Sequence, residues 1–276
     1  MANTFSGQLV LVTGAGSGIG LEIALAFARA GARLVITDVN TSALEVAEAA
    51  VTALGAPCMA ARCDVTSEQE VLALAERVKA QAGVPEILVN NAGIGYFGQF
   101  LDTPPAAWRR VLDVNVMGVV HGIRAFLPAI RQAGGERWLV NVASTAGFAP
   151  APSMSAYAAS KHAVVGLSEV LAMELDGSTV RVMVVCPGVI NTPIVAGNAQ
   201  LAPEIPRSQI ERLQAYYVAH GCPPREVADA LLRALARGEQ LLFAGPLARS
   251  ASILMRISRR LARRVTLRKA HDMGYL

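Results

Sequence analysis

Charge and aromatic residues are both scarce in this chain. Of its 276 residues, 17% are charged and 5% aromatic, while 53% are apolar. So apolar a composition excludes a disordered polyelectrolyte, and the length suffices for one large domain with a substantial core. The four cysteines, Cys58, Cys63, Cys186 and Cys222, have neither zinc-knuckle nor CxxC spacing. They read as reduced, semi-buried thiols, which points to a cytoplasmic setting. The four histidines are scattered, and without an HExxH motif or a His/Cys cluster no metal is expected. No Ser/Gly linker, low-complexity tract or internal repeat stands out. No uninterrupted apolar run reaches about 18 residues, so a membrane-spanning helix is not expected. The opening MANTFSGQLVLVTG lacks the basic and apolar regions of a secretory signal.

What charge there is, is unevenly placed. Residues 247–276 hold eight Lys/Arg and one acid, Asp272, leaving 17 basic and 20 acidic residues for the rest. A mildly acidic body with a basic C-terminal extension argues against a nucleic-acid-binding protein.

Short apolar runs alternate with helical patterns. Runs at 8–14, 33–38, 57–65, 86–93, 137–144, 180–188 and 240–246 read as strands; the segments 19–32, 41–54, 67–82, 105–132, 155–175 and 225–238 read as helices. Nearly continuous apolar strands suit a sheet covered on both faces. The expectation is an α/β fold: a single-domain, doubly wound parallel sheet of about seven strands. Ligands of such sheets bind beyond the carboxyl ends of the strands, where Gly14, Asp38, Asp64, Asn91, Ser144 and Gly188 fall.

TGAGSGIG (13–20) joins the first strand to the first helix. Its glycines allow a sharp turn and a close approach to a pyrophosphate, which the helix N-terminus attracts through free N–H groups and its dipole. Asp38 ends the second strand, 18 residues after Gly20. An acid there accepts bonds from ribose hydroxyls and repels a 2′-phosphate. No Arg or Lys follows it, and Ser17 stands in the loop where a base would serve NADP, so NAD is favoured. SAYAASKHAVVG (155–166) puts Tyr157 and Lys161 one helical turn apart. A free tyrosine titrates near about 10, and a neighbouring cation can lower that by about 1–3 units. By themselves these two residues allow either a tuned proton acceptor or a partly exposed Tyr with a solvated Lys.

The ordered set of motifs resembles the short-chain dehydrogenase/reductase family, in its compact one-domain branch. TGxxxGIG at 13–20, CDV at 63–65, NNAG at 90–93, Asn115 in DVNVMG, Ser144, YAASK at 157–161 and CPG at 186–188 run in the family's order between about residues 7 and 246. The resemblance implies a Rossmann-type fold and an NAD-dependent enzyme interconverting an alcohol and a ketone or aldehyde. It makes Tyr157 the general base or acid, and Lys161 the group that lowers its pKa and holds the nicotinamide ribose. Ser144 would hold the substrate oxygen, and Asn115 would orient a water in the proton relay behind Lys161. It implies cofactor contacts from Gly14, Ser17, Gly18, Ile19 and Gly20, and from Asp38. Asp64 and Val65 would meet the adenine, Asn91 and Gly93 the adenosine ribose and the approach to the nicotinamide. Pro187, Gly188, Val189 and Thr192 would wrap the nicotinamide amide and phosphates. No metal is needed for hydride transfer.

Two other functions share parts of this pattern. A sugar-nucleotide epimerase or dehydratase also uses Tyr and Lys four apart, but the chain has no long substrate domain. A dinucleotide-sensing or scaffold protein would not need Asn115, Ser144, Tyr157 and Lys161 together.

Substrate choice falls to 94–100, 145–155 and a lid at 190–224. These segments are mostly apolar (Ile94, Tyr96, Phe97, Phe148, Met154, Ile194, Val195, with Tyr216 and Tyr217 on a lid helix), so a lipophilic secondary alcohol or ketone is expected. Residues 1–246 then form the catalytic domain. In the extension 247–276, Ile253, Leu254, Ile257, Leu261 and Val265 share one helical face amid arginines. Such a helix can lie on an anionic membrane surface, dock on a partner subunit or close over the site. The resemblance implies a homo-dimer or homo-tetramer through the helices near 105–132 and 155–175, with the extension able to obstruct the tetramer contact at the last strand.

Overall fold

The apolar runs fold into strands whose alternate side chains enter two separate cores. In β1 (Leu9–Thr13), Val10 and Val12 face one layer, and Leu9 and Leu11 the other. The same division splits Ile87 and Val89 from Leu88 in β4 (Ile87–Asn90), and Trp138 and Val140 from Leu139 in β6 (Arg137–Val142). Period-two alternation with both faces apolar is what a sheet between two helical layers requires.

The computed structural model describes residues 4–192 and 200–276. After β1 come α1 (Gly18–Arg29), β2 (Arg33–Asp38), α2 (Thr41–Thr52), β3 (Cys58–Arg62) and α3 (Glu68–Gln81). Beyond β4 lie β5 (Tyr96–Phe97), α4 (Pro105–Leu112), a π turn (Asp113–Met117) and α5 (Gly118–Ala133). β6 is followed by α6 (Ser155–Glu174), β7 (Val180–Pro187) and β8 (Gln200–Leu201). The remaining elements are α7 (Arg207–His220), α8 (Pro224–Ala236), β9 (Leu241–Ala244), α9 (Ala248–Ile257) and α10 (Arg259–Ala270).

Seven strands form one parallel sheet in the order β3-β2-β1-β4-β6-β7-β9. Ile23 and Phe27 of α1, Leu44 of α2 and Leu231 of α8 fill one face; Leu74 of α3, Ile123 of α5 and Val164 of α6 fill the other. This is the doubly wound α/β fold expected. Its order reverses between β1 and β4, and a crevice opens at that switch point.

Two local features depart from expectation, the π turn and the split extension, and a third bears on the absence of a membrane-spanning helix. The helix read over 105–132 is interrupted by the π turn, where an i→i+5 bond inserts one residue into the ladder. An 18-residue window within Pro105–Ala133 also reaches the mean hydropathy, 1.2, of a membrane-crossing helix, but half of that window is buried, and Val119, Ile123, Phe126 and Ile130 belong to the core. Mixed small and apolar residues reach that hydropathy without an uninterrupted apolar run. The basic extension is two helices and not one: Ser258 leaves helical geometry (φ −156°) and its hydroxyl accepts the Leu261 N–H at 3.2 Å, starting α10 anew.

Candidate active site

A cavity of about 660 Å³ lies beyond the carboxyl ends of the central strands. Its first wall is the glycine turn. Gly14 (φ +64°) and Gly18 (φ +56°) hold left-handed backbone, and a Cβ on Gly20 would strike the Gly14 carbonyl. Ser17 caps α1 without a side-chain bond, whereas Asn40 and Ser67 close the starts of α2 and α3 with theirs. The N–H groups at the start of α1, on Gly18, Ile19 and Gly20, thus remain open to an anion in the cavity. The Asp38 carboxylate accepts the N–H groups of Gly16 and Asn40, both at 2.9 Å, and keeps further lone pairs for a ribose. An uncapped helix start, a cradle that a Cβ would fill and an acid at the end of β2 fit a dinucleotide.

The second wall comes from β3 and β4. Burial pushes the Asp64 carboxyl up, but hydrogen bonds from the Thr66 amide and hydroxyl, with Arg110 and Arg62 nearby, hold it below the usual range. Val65 lines the cavity beside it, and its carbonyl meets His121 Nδ1 at 2.9 Å. Asn91 Nδ2 donates to the carbonyls of Thr13 (2.9 Å) and Gly14 (3.1 Å), so its amide hydrogens tie β4 to the glycine turn. Gly93 lines the cavity, with Pro187, Gly188, Val189 and Thr192 on the far side after β7.

The reacting groups are presented by β6 and α6. Tyr157 and Lys161 lie one turn apart on α6, and Lys161 Nζ sits 5.7 Å from the Tyr157 ring centroid. Lys161 is only 3% exposed and donates to the Val142 carbonyl at 2.9 Å. Burial pushes its pKa down to about 8. Burial also pushes the Tyr157 phenol up to about 12, against a hydrogen bond from the Ser144 hydroxyl that pulls it down. The expected lowering of Tyr157 by Lys161 is therefore corrected: burial dominates, the Ser144 hydroxyl and not Lys161 pulls the phenol down, and the ammonium is held on a backbone carbonyl.

Asn115 lies in the π turn behind the cavity, fully buried. Its Oδ1 accepts the Ile94 N–H at 2.8 Å, and its Nδ2 donates to the Ile94 carbonyl (3.0 Å) and Ser160 Oγ (2.9 Å). The side chain thus fixes the Gly93–Ile94 backbone. Its Oδ1 and Lys161 Nζ lie 3.3 and 3.4 Å from where a Gly93 Cβ would be, so the two groups converge at that glycine.

Ile94, Phe97, Met154, Tyr216 and Tyr217 line the cavity, as the apolar reading of the pocket requires. Tyr96 and Phe148 do not: Tyr96 is buried with Val111 and Ala202, and Phe148 packs edge-on to Phe243 at 5.3 Å. Ile194 and Val195 lie outside the described residues. Sequence reasoning missed Leu247, Thr266, Met273 and Tyr275, which the basic extension brings to the cavity. Nothing in their spacing signals a pocket; the Gly-Tyr pair after a helical run is the nearest hint. Among the described residues no group of three His, Cys, Asp or Glu could hold a metal ion.

Residues 8–201 match the short chain dehydrogenase family, and the chain belongs to that family. A protein named "Probable oxidoreductase EphD" of Mycobacterium tuberculosis is 43% identical over 259 residues, covering 92% of this chain, which spans only 43% of that protein's length. Cyclohexanol dehydrogenase of an Acinetobacter species is 36% identical, the match covering 71% of this chain and 78% of the relative. A short chain dehydrogenase/reductase from Burkholderia phymatum, solved with NAD, superposes with a TM-score of 0.80 at 35% identity over 86% of this chain and 89% of its own.

Proposed function

We propose that this chain is an NAD-dependent oxidoreductase interconverting a lipophilic secondary alcohol and its carbonyl partner. One observation carries the reading: Ser144, Tyr157 and Lys161 meet in the same cavity as the uncapped start of α1 and Asp38. A bound nicotinamide dinucleotide supplies the ring that accepts or returns hydride and, when oxidised, a positive charge that favours a phenolate. The glycine turn and α1 would hold its pyrophosphate, Asp38 a ribose, Asp64 and Val65 the adenine, and Pro187 to Thr192 the nicotinamide end.

Tyr157 takes the proton of the alcohol oxygen during oxidation and returns it during reduction. Ser144, whose hydroxyl pulls the pKa of that phenol down, would fix the oxygen between them. Lys161 reaches toward the ribose with its ammonium. Asn115 holds the backbone against which these groups are set and orients the relay water behind Lys161. The apolar residues around the reacting site favour a lipophilic substrate, and the relative named for cyclohexanol is consistent with one.

The reading extends to three wider proposals. The catalytic body is 1–246, with 247–276 an extension that can touch an anionic membrane surface. A homo-dimer or homo-tetramer forms through α4–α5 and α6, where Met117, Val170 and Met173 are exposed. The four free thiols suit the reducing cytoplasm.

Absorbance of reduced nicotinamide, followed with NAD and NADP in parallel over a panel of secondary alcohols that includes cyclohexanol, tests the central reading. We expect turnover with NAD, falling about 10²–10⁴-fold in Tyr157→Phe. Preference for NADP, or activity indifferent to Tyr157, overturns it.

A further inference from the structure

The residues after α10 do not trail into solvent; they are seated against the catalytic site. Gly274 crosses α7 so closely that a Cβ would lie 2.8 Å from the Gln209 carbonyl, and its φ of +76° is left-handed. The Tyr275 N–H donates to the Ala270 carbonyl at 2.8 Å, and Ser153 Oγ donates to the Tyr275 carbonyl at 2.7 Å. Ser153 itself has φ +58°, an uncommon conformation for a residue with a side chain, sustained where surrounding contacts impose it. Tyr275 is 8% exposed and packs with Phe97, Met154 and Leu213, with Tyr157 and Tyr217 alongside.

This seat brings two phenols together. Tyr217 and Tyr275 share a hydrogen bond of 2.8 Å between their hydroxyls, and both side chains line the cavity that holds Tyr157. Tyr157 and Tyr275 belong to the same packed cluster. Burial holds both phenols of the pair above the ordinary tyrosine range, so they remain neutral donors at neutral pH. Two O–H groups bonded to one another consume one hydrogen between them, and the second can be offered to an acceptor. In a mostly apolar pocket, a small number of placed polar groups sets orientation and specificity.

We propose that the Tyr217–Tyr275 hydroxyl pair is a second recognition point of the substrate pocket, selecting lipophilic alcohols that carry another oxygen, hydroxyl or carbonyl, away from the reacting carbon. The inference rests on the dehydrogenase reading above and makes the extension part of the specificity apparatus. A pocket built to bond an oxygen discriminates against the analogue lacking it, because its buried donor is then left unpaired.

The test compares cyclohexanol with the 1,2-, 1,3- and 1,4-cyclohexanediols. Wild-type protein should favour at least one diol by about tenfold in kcat/KM, the effect of one net hydrogen bond. Tyr275→Phe and Tyr217→Phe should each erase that preference through KM, while Tyr96→Phe, outside the cavity, should keep it. The ratio is internal to each variant, so loss of active protein cancels. Calorimetric binding of the same alcohols to NAD-loaded Tyr157→Phe, with and without Tyr275→Phe, separates the two readings. Pair-dependent diol binding without turnover in the wild type would sink the dehydrogenase reading alone. Where the wild type turns over, a diol preference that is absent from it, or unmoved in both pair variants, overturns the proposal, as does diol binding that does not depend on the pair.

Discussion

Lys161 keeps its charge at a nearly buried position on the cavity wall. Its ammonium has one carbonyl partner, that of Val142, and a folded pKa of about 8 against about 10.4 in an unfolded chain. Between those values the unfolded state binds more protons, so stability rises with pH, by at most about 1.4 kcal/mol per unit. As pH falls through 8, that gain is lost. Tyr157 acts in the opposite sense at higher pH: from about 10, where unfolded tyrosine ionises, up to about 12, the folded phenol keeps its proton and stability falls. Urea unfolding from pH 8 to 10 should therefore show wild-type stability gaining about 1–2 kcal/mol relative to Lys161→Met. A constant difference between the two proteins would contradict this account. The identities and spacing of Ser144, Tyr157 and Lys161 were readable in the sequence. The direction of the Tyr157 shift was not, because it depends on how deeply the phenol is buried.

At the scale of elements, the π turn between α4 and α5 is what aims Asn115. The inserted residue rotates the amide onto both backbone groups of Ile94. Asn115→Ala removes three hydrogen bonds in a fully buried place, so we expect a loss of about 2 kcal/mol in urea unfolding and a lower kcat. Unchanged stability would mean that water replaces the amide at no cost. The seven strands of the main sheet were legible because they lie in apolar runs between turn residues. The π turn was not, since the apolar pattern passes through DVNVM without a break. The division at Ser258 carried a signal, a serine before a helical run, but Ile253, Ile257, Leu261 and Val265 continue the four-residue spacing across it. The pairs β5 and β8, two residues each, are too short to leave a pattern.

At the scale of the whole molecule, two of the exposed apolar surfaces among the described residues carry the proposed partner contacts. On α6, Met173 is 69% exposed with Val170 nearby in sequence; in the extension, Ile257 is 76% exposed, with Ile253, Leu261 and Leu267 also open to solvent amid arginines. Light scattering should show a multimer that Met173→Asp reduces to monomer; a monomeric wild type would refute the oligomer proposal. Flotation with vesicles rich in anionic lipid should carry the full chain upward, less so after Arg263→Gln with Arg264→Gln. Equal flotation of both proteins would remove the extension as a membrane contact.

The break at Ser258 leaves α10 carrying Arg259, Arg260, Arg263, Arg264, Arg268 and Lys269 in twelve residues. Three arginine pairs stand four apart, each an unfavourable neighbour worth about 0.2–0.5 kcal/mol. The helix that delivers Tyr275 to the pocket is wound against its own repulsion, and counter-ions relieve that load over a screening length of about 8 Å at physiological ionic strength. Dissolved salt, which loosens most surface ion pairs, would here draw the pocket's wall into place.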